Sequence, residues 1–313
     1  MIVYDELRMK PLFKPFFEAS GVKHANHFRS IPVMLLFETR ARKALPLDFF
    51  YKDPACDPTD DKIIVFDTHT TTRYLNWLCK HYPNKRIILW FWNPVEHIGK
   101  FNKLNPRIER WCYSEEDALQ YGMYHNTQFF FDSLAKEASQ YTNTVHNGEQ
   151  KALFIGREKG RAEQMKRLQE ELTEAGIVAD YRIIPLPKKK PRSLYEKLIP
   201  YRQIIEAVKD SQILIDLYAD PTAGLSLRAM EALFYNKKLL TNRAIMKKED
   251  FYDSRNIYIL GEEKRTIKEF LTEPYTPPDP AVKDRYLLSS WLERFEIKEL
   301  LDDKERQTRS ELL

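Results

Sequence analysis

Short apolar runs that alternate with helical stretches limit the folds open to this chain. In the second half, the apolar runs cover residues 152–155, 181–184, 213–217, 238–241 and 257–260. Helices are predicted between these runs over 161–176 and from Ser193 onwards, and a last helix over 262–271 follows the final run. Strands that alternate with helices in this way are typical of a parallel, doubly wound sheet.

The first half follows the same pattern. Strands are predicted over 62–66, 86–91 and 111–113, with a helix over 70–81. Apolar periodicity stops near 140–150, a second break covers 274–280, and an amphipathic helix is predicted over 284–301. We therefore predict an α/β fold with two doubly wound, Rossmann-like domains facing a cleft and a C-terminal helix that packs back. The predicted boundaries are 1–145 for the N-terminal domain, 146–280 for the C-terminal domain and 281–313 for the helical extension.

Composition fits a globular protein. A chain of 313 residues suffices for two domains, and 43% hydrophobic with 31% charged residues is typical of soluble chains. The net charge of +4 does not by itself indicate a protein that binds nucleic acid.

The N-terminus lacks a signal-peptide pattern. The longest clean apolar run, 31–37, is too short to cross a bilayer, so we expect a cytoplasmic protein. Metal-binding and hydrolase motifs are absent from the sequence, and we expect neither a metal nor another cofactor.

Residues 1–52 interleave basic side chains with phenylalanines, and two interpretations are open. A basic and aromatic surface suits an anionic bilayer face or a lipid-linked acceptor. Alternatively, the aromatic side chains form the core of the N-terminal domain while the basic ones face water. The phenylalanines concerned are Phe13, Phe16, Phe17, Phe28, Phe37, Phe49 and Phe50.

In open parallel sheets, ligands bind beyond the carboxyl ends of the strands, so residues just after each strand are candidates. After the strand 152–155 come Gly156, Arg157, Lys159, Gly160 and Arg161. Glycines let backbone N–H groups approach a diphosphate and the cations pair with it. The alternative is a solvated turn with Lys159 and Arg161 on a helix surface.

The strand 213–217 leads through a polar loop into a helix, whose free N–H groups favour phosphate. The candidates at this place are Asp216, Tyr218, Asp220, Thr222, Gly224, Leu225, Ser226, Arg228 and Glu231. Glu231 offers two oxygens to a pair of ribose hydroxyls. The alternative is a surface ion pair with Arg228, three residues away on the helix.

In the first half, the same position selects Asp67 and His69 as candidate general bases. An Asp after a strand is also a common helix cap. Trp92 and Asn93 follow the next strand and are candidates for acceptor binding by stacking and hydrogen bonding. Asn-Pro after a strand is also an ordinary turn.

Together these residues resemble a family. Phe154-Ile-Gly-Arg157 with Lys159-Gly160, followed by Gly224-Leu-Ser-Leu-Arg-Ala-Met-Glu231-Ala-Leu, resembles the donor domain of glycosyltransferases with the GT-B fold. The sequence looks most like bacterial enzymes of lipopolysaccharide and capsular polysaccharide assembly. Segments 61–67, 83–94 and 113–122 look like the same group, so the resemblance covers roughly residues 60 to 260.

The resemblance implies that Arg157 and Lys159 contact the donor diphosphate, that Glu231 contacts the ribose, and that Asp67 or His69 faces the acceptor. Many retaining members carry a sugar-binding Glu where this chain has Ala223, so recognition of the sugar differs, through Asp220 or Asp216. The glycine-rich acceptor loop near the N-terminus of this fold is also missing. The sequence does not decide whether the transfer retains or inverts the anomeric configuration of the sugar.

We therefore expect a metal-independent glycosyltransferase that moves a sugar from a nucleotide sugar to a cell-envelope glycan or lipid-linked acceptor. Peripheral contact with the cytoplasmic face of the inner membrane is a further expectation, and nucleic acid is not an expected partner. Two alternatives are a non-catalytic glycan- or nucleotide-binding subunit of the same fold and a nucleotide-sugar epimerase.

Overall fold

The structure is a computed structural model. It describes residues 1–3, 12–37, 39, 43–68, 70–93, 95, 101, 103–142, 150–184, 199–218 and 224–297. These residues divide into two compact units. The N-terminal unit holds 1–127 and 293–297, and the C-terminal unit holds 128–184 and 199–292, counting described residues only. Across the described part of the chain, no helix has the length and apolar character needed to cross a membrane.

The described strands of the N-terminal unit form one parallel sheet in the order β2-β1-β3-β4-β5-β6. The strands are β1 Ile2–Val3, β2 His24–Ala25, β3 Lys62–Phe66, β4 Arg86–Phe91, β5 Ile108–Cys112 and β6 Tyr124–His125. The helices are α1 Lys14–Ala19, α2 Ile31–Phe37, α3 Leu47–Phe50, α4 Thr72–His81 and α5 Glu115–Tyr121.

The aromatic residues of the first 52 positions belong mainly to the core of this unit. Phe13, Phe16, Phe17, Phe28, Phe37 and Phe50 are all buried. Only Phe49 of the phenylalanines discussed above is exposed, at 44%. Burial of these rings supports the core interpretation for the six buried side chains, since a ring in the core is not available to a bilayer.

The described strands of the C-terminal unit form a second parallel sheet in the order β11-β10-β9-β7-β8. The strands are β7 Lys151–Gly156, β8 Val178–Ile183, β9 Ile213–Asp216, β10 Lys238–Thr241 and β11 Ile257–Ile259. The helices are α6 Asp132–Ser139, α7 Ala162–Glu174, α8 Tyr201–Lys209, α9 Leu227–Phe234, α10 Ile267–Thr272, α11 Pro280–Arg285 and α12 Leu288–Arg294, with a 3₁₀ helix over Ala244–Lys248. The predicted α/β class with two parallel, doubly wound sheets is confirmed.

Each sheet contains a switch point, the place between two neighbouring strands where the chain reverses its direction of travel across the sheet. In the N-terminal unit it lies between β1 and β3, and in the C-terminal unit between β7 and β9. Loops at the carboxyl ends of such strands diverge and leave a crevice for ligands. The switch point of each sheet is therefore where a functional site is expected.

The predicted helix over 284–301 is two helices where the structure describes it. Asp279 caps α11, and Pro280 occupies its first turn. The chain then pairs with Phe130, whose N–H donates to the Tyr286 carbonyl (2.6 Å) and whose carbonyl accepts from the Leu288 N–H (2.8 Å). These backbone bonds interrupt the helix before α12 begins. Residues 298–301 of the predicted helix lie outside the described residues.

Residues 293–297 return to the N-terminal unit. The Phe295 ring packs edge-on against Trp111 (4.8 Å between ring centroids) and Trp90 (6.2 Å). Arg294 Nε donates to Asn126 (2.8 Å), and the Glu296 carboxylate accepts from Arg86 (2.9 Å). The C-terminal segment therefore completes the core of the N-terminal unit.

Candidate functional site

The loop that leads from β7 into α7 is anchored by Arg161. This side chain is only 9% exposed, and its guanidinium donates to the carbonyls of Glu158 (2.9 Å), Leu217 and Arg157. Since Leu217 follows β9, the bond joins the two strands that flank the switch point. Arg161 thus lies in the interior rather than on a helix surface, with its donors engaged by the protein itself.

The start of α7 already carries an anion of the protein. Glu158 accepts from the Ala162 N–H (2.7 Å), and its pKa is lowered by backbone N–H bonds, from Gly160 first. Its carboxylate occupies helix-start donors that a phosphate would also use. Of the residues predicted to bind a diphosphate here, Arg157 is half-buried and Lys159 is exposed.

Backbone geometry distinguishes the glycines and the lysine of this loop. Gly160 and Lys159 both adopt positive φ angles, of +80° and +48°. The turn therefore requires a left-handed backbone conformation at both positions, which glycine adopts readily and lysine adopts only with strain. A Cβ at Gly156 would lie 3.3 Å from the Phe154 ring, so that glycine also allows close packing.

Beyond β9, Asp216 and Ser226 connect the strand to helix α9. The Ser226 hydroxyl donates to Asp216 Oδ2 (2.9 Å) and accepts from the Ala229 N–H (3.0 Å), so it caps the helix. The helix begins after this cap, at Leu227, three residues later than Gly224. Burial raises the pKa of the Asp216 carboxyl, while Arg243 and Ser226 oppose the rise.

Glu231 and Arg228 form the predicted ion pair, but in the interior. Glu231 is 1% exposed, and the two side chains are in direct contact. Burial raises the pKa of the Glu231 carboxyl, and Arg228 and the Tyr201 hydroxyl lower it. Leu225, before the helix, is buried and its carbonyl accepts from Gln128 (3.2 Å). The surface ion-pair interpretation is therefore wrong about exposure and right about the partner.

Sequence reasoning missed Arg243, which follows β10 and faces Asp216 at 3.7 Å. Asn242 beside it exchanges two hydrogen bonds with the Tyr218 backbone (2.8 and 2.9 Å), fixing the end of β10 against that of β9. The strand-end criterion applied to β10 would have selected both residues. We call Arg161, Arg228, Arg243, Asp216 and Glu231 the charged cluster. Three guanidinium groups against two carboxylates make it suited to one further anion.

In the N-terminal unit, the structure brings together Asp67, Trp92 and Asn93. The Asp67 carboxylate accepts from the Trp92 N–H (3.1 Å) and from the Asn93 side-chain amide (3.2 Å). The Trp92 ring packs between Phe13 and Phe66, with both centroids at 5.0 Å. The cap of α4 is Thr71, so Asp67 is not the cap that the alternative required. The carboxylate is thus fixed at the end of β3, beside the switch point.

Two predicted site residues, His69 and Asp220, lie outside the described residues, as do Thr222 and Ala223. The predictions made for them stand as predictions.

No family model and no curated protein sequence matches this chain. Among solved structures, one similar chain is an alpha-glucosyltransferase determined in complex with UDP and a 13-mer DNA containing an HMU base. The two are 11% identical, the alignment covers 77% of this chain and 78% of that chain, and the TM-score is 0.40. A likeness this distant does not establish an activity.

Proposed function

We propose that this protein is a glycosyltransferase that moves a sugar from a nucleotide-activated donor to a cell-envelope glycan or lipid-linked acceptor. The observation that carries the proposal is the charged cluster beside the switch point of the C-terminal sheet. It lies on the segments whose motifs resemble the GT-B donor domain. An excess of guanidinium groups at this place suits the diphosphate of a nucleotide sugar.

In the proposed reaction, the leaving diphosphate is stabilised by cations of the protein. Arg157 and Lys159 contact the phosphates, Gly156 lets the backbone approach them, and Glu231 takes the ribose. Fixed positive groups stabilise the negative charge that develops as the sugar leaves, and in many enzymes such electrostatic stabilisation accounts for most of the rate enhancement. We propose that these cations replace a metal ion.

The N-terminal unit supplies the acceptor side of the same proposal. Asp67 is a candidate base because its carboxylate is fixed at a strand end, with His69 as the alternative. Asn93 and Trp92 are proposed acceptor contacts. Assignment to lipopolysaccharide or capsule assembly, and peripheral placement on the cytoplasmic membrane face, belong to the proposal too.

A thermal-shift screen tests donor binding. UDP-, GDP-, ADP-, dTDP- and CMP-sugars are added to the full chain, and a donor at about a hundredfold over its Kd is expected to add roughly 2.7 kcal/mol of stability. A screen in which no nucleotide sugar shifts the transition would overturn the proposal.

The paired variant Arg157→Ala with Lys159→Gly tests the phosphate contacts. Glycine suits the φ of +48° at position 159, so the charge is removed without disturbing the turn. We expect sugar transfer to fall by about a hundredfold or more with folding intact. The matched control, Arg255→Ala with Lys268→Ala, removes two exposed charges from the same unit and should keep full activity.

Product analysis separates the alternatives. Interconversion of free nucleotide sugars without acceptor identifies an epimerase, whereas donor binding without turnover identifies a binding subunit.

A further inference from the structure

Arg243 is a fully buried arginine whose hydrogen-bonding groups are not used by the described part of the protein. The residue is 0% exposed, and Nε, Nη1 and Nη2 donate no hydrogen bond within the described structure. Arg161 in the same unit shows the usual arrangement, with its guanidinium donating to three carbonyls. The difference between the two arginines needs a physical reason, because buried polar groups are almost always paired.

The neighbours of Arg243 hold it in place without satisfying its donors. Asp216 Oδ2 lies 3.7 Å from Nη1, too far for a hydrogen bond, and that oxygen already accepts from Ser226 at 2.9 Å. The Tyr218 ring lies 4.3 Å from the guanidinium carbon, and offers a cation–π contact. Position and charge are therefore fixed, while the five N–H groups meet no acceptor among the described residues.

A group that is desolvated, charged and unbonded is costly to keep. A ligand that supplies several acceptor oxygens in one plane would satisfy the guanidinium fork, and phosphate oxygens have that geometry. Arg243 follows β10, the strand that pairs with β9 beyond the switch point. The other helix start in this region, at α7, is already occupied by the Glu158 carboxylate.

We propose that Arg243 binds the diphosphate of the nucleotide donor, and that it does so as the principal arginine of the phosphate subsite. This inference rests on the proposed function for the identity of the ligand, but the chemistry it requires is only that of a diphosphate. The charged cluster then consists of one arginine that holds the loop, one that pairs with Glu231, and one reserved for the ligand.

Calorimetric titration of full-length variants tests this assignment. The probes are inorganic pyrophosphate, and UDP, GDP, ADP and dTDP, each compared with its nucleoside. Arg243→Met removes the charge at similar volume, and Arg243→Lys keeps the charge but loses the fork. The control is Arg255→Met, an exposed arginine of the same unit that pairs with Asp253.

We expect Arg243→Met to bind pyrophosphate and the preferred nucleoside diphosphate about ten- to a hundredfold more weakly, with the nucleoside affinity unchanged. Arg243→Lys should fall between this variant and the wild type, and it decides the question if Arg243→Met does not fold. Arg255→Met should match the wild type. Equal weakening of nucleoside and diphosphate would indicate a structural role and overturn the assignment.

The two proposals fail in different ways. If the wild type binds pyrophosphate through Arg243 but no nucleotide, the anion site stands and the donor function falls. If nucleoside diphosphates bind, and if Arg243→Met still binds them more tightly than the nucleoside by the same factor as the wild type, the function stands and the assignment of Arg243 falls. A wild type without preference for pyrophosphate or for any diphosphate over its nucleoside overturns the assignment too.

Discussion

Glu231 and Arg228 lie one turn apart on α9 and are paired in the interior of the C-terminal unit. Glu231 is 1% exposed, and burial raises its pKa. Such a carboxylate depends on its partner, because an isolated buried charge has no compensation for its lost hydration. The residue that the sequence assigns to ribose binding is therefore also a residue on which folding depends.

Replacing Arg228 by Met is expected to lower the free energy of unfolding by about 3–5 kcal/mol at neutral pH. The loss should shrink towards pH 5, since a carboxyl whose folded pKa is raised stabilises the fold when protonated, and that contribution is lost as pH rises. Urea denaturation at several pH values measures both effects. Arg202→Met, which breaks the exposed pair with Glu137, is the control. A loss no larger than the control's would contradict the prediction.

Lys237 and Lys238 are adjacent buried lysines at the start of β10. Burial lowers the pKa of each to about 8. The unfolded chain, with lysine pKa values near 10.5, binds more protons between these values. These two lysines should therefore contribute a rise in the free energy of unfolding with pH from about 8 to 10, by up to about 1.4 kcal/mol per pH unit for each lysine.

Lys237→Met and Lys238→Met are each expected to remove part of this slope, and the double variant to remove most of it. Lys268→Met, at an exposed position of α10, should keep it. Chemical denaturation between pH 7 and 10 gives the slopes. The range stops there because buried tyrosines act in the opposite sense above it, as for Tyr181, whose pKa burial raises to about 12. A double variant with the wild-type slope would refute this explanation.

The sequence shows directly where a residue lies along its own strand. Asp67 follows β3 and Asp216 ends β9, as the apolar runs indicate, whereas Ser226 reaches the end of β9 only through its hydrogen bond to Asp216. The burial of Arg161 and Arg243 could not be predicted this way. A cation after a strand looks the same in sequence whether its partners are water or carbonyls from a distant segment.

At the scale of elements, Ser226 links a helix to a strand. It caps α9 and donates to Asp216, whereas Thr266 only caps its own helix, α10, in a capping box with Glu269. A comparison of Ser226 with Thr266 therefore separates the stability contributed by a helix cap from the stability contributed by the additional hydrogen bond to Asp216.

Thr266→Ala is expected to cost about 1 kcal/mol, the usual loss for a cap. Ser226→Ala should cost about 1 kcal/mol more, because buried Asp216 also loses a donor. Denaturation of both variants under one condition gives the difference. Equal losses would mean that the bond to Asp216 adds nothing to stability.

Elements with a continuous apolar run are predicted with the right bounds. This holds for β3, β4 and β10, since strands of a parallel sheet are buried on both faces. The two-residue strands β1, β2 and β6 were missed because so short a run has no periodicity. The break between α11 and α12 depends on Phe130, far away in sequence, and local pattern does not contain it.

At the scale of the whole molecule, two aromatic side chains four residues apart serve different units. Trp291 packs against Phe129 (4.7 Å between centroids) in the C-terminal unit, and Phe295 packs against Trp111 in the N-terminal unit. Both are fully buried, so either truncation leaves a cavity.

Phe295→Ala is expected to destabilise the N-terminal unit by about 3–5 kcal/mol, and Trp291→Ala to destabilise the C-terminal unit by a similar amount. Hydrogen exchange resolved by peptide measures each unit separately. Protection should fall in β4 and β5 for the first variant and around α6 for the second. The same loss spread over both units in both variants would contradict the assignment.

The return of residues 293–297 has a practical consequence for dissecting the protein. A fragment cut after residue 127 would leave Trp90 and Trp111 without the ring that covers them, and is expected to aggregate. Grafting 293–297 onto such a fragment through a flexible linker would restore the covering ring. Of the described residues, an isolated N-terminal unit therefore has to join two separate pieces of the gene, 1–127 and 293–297, that the natural reading frame keeps apart.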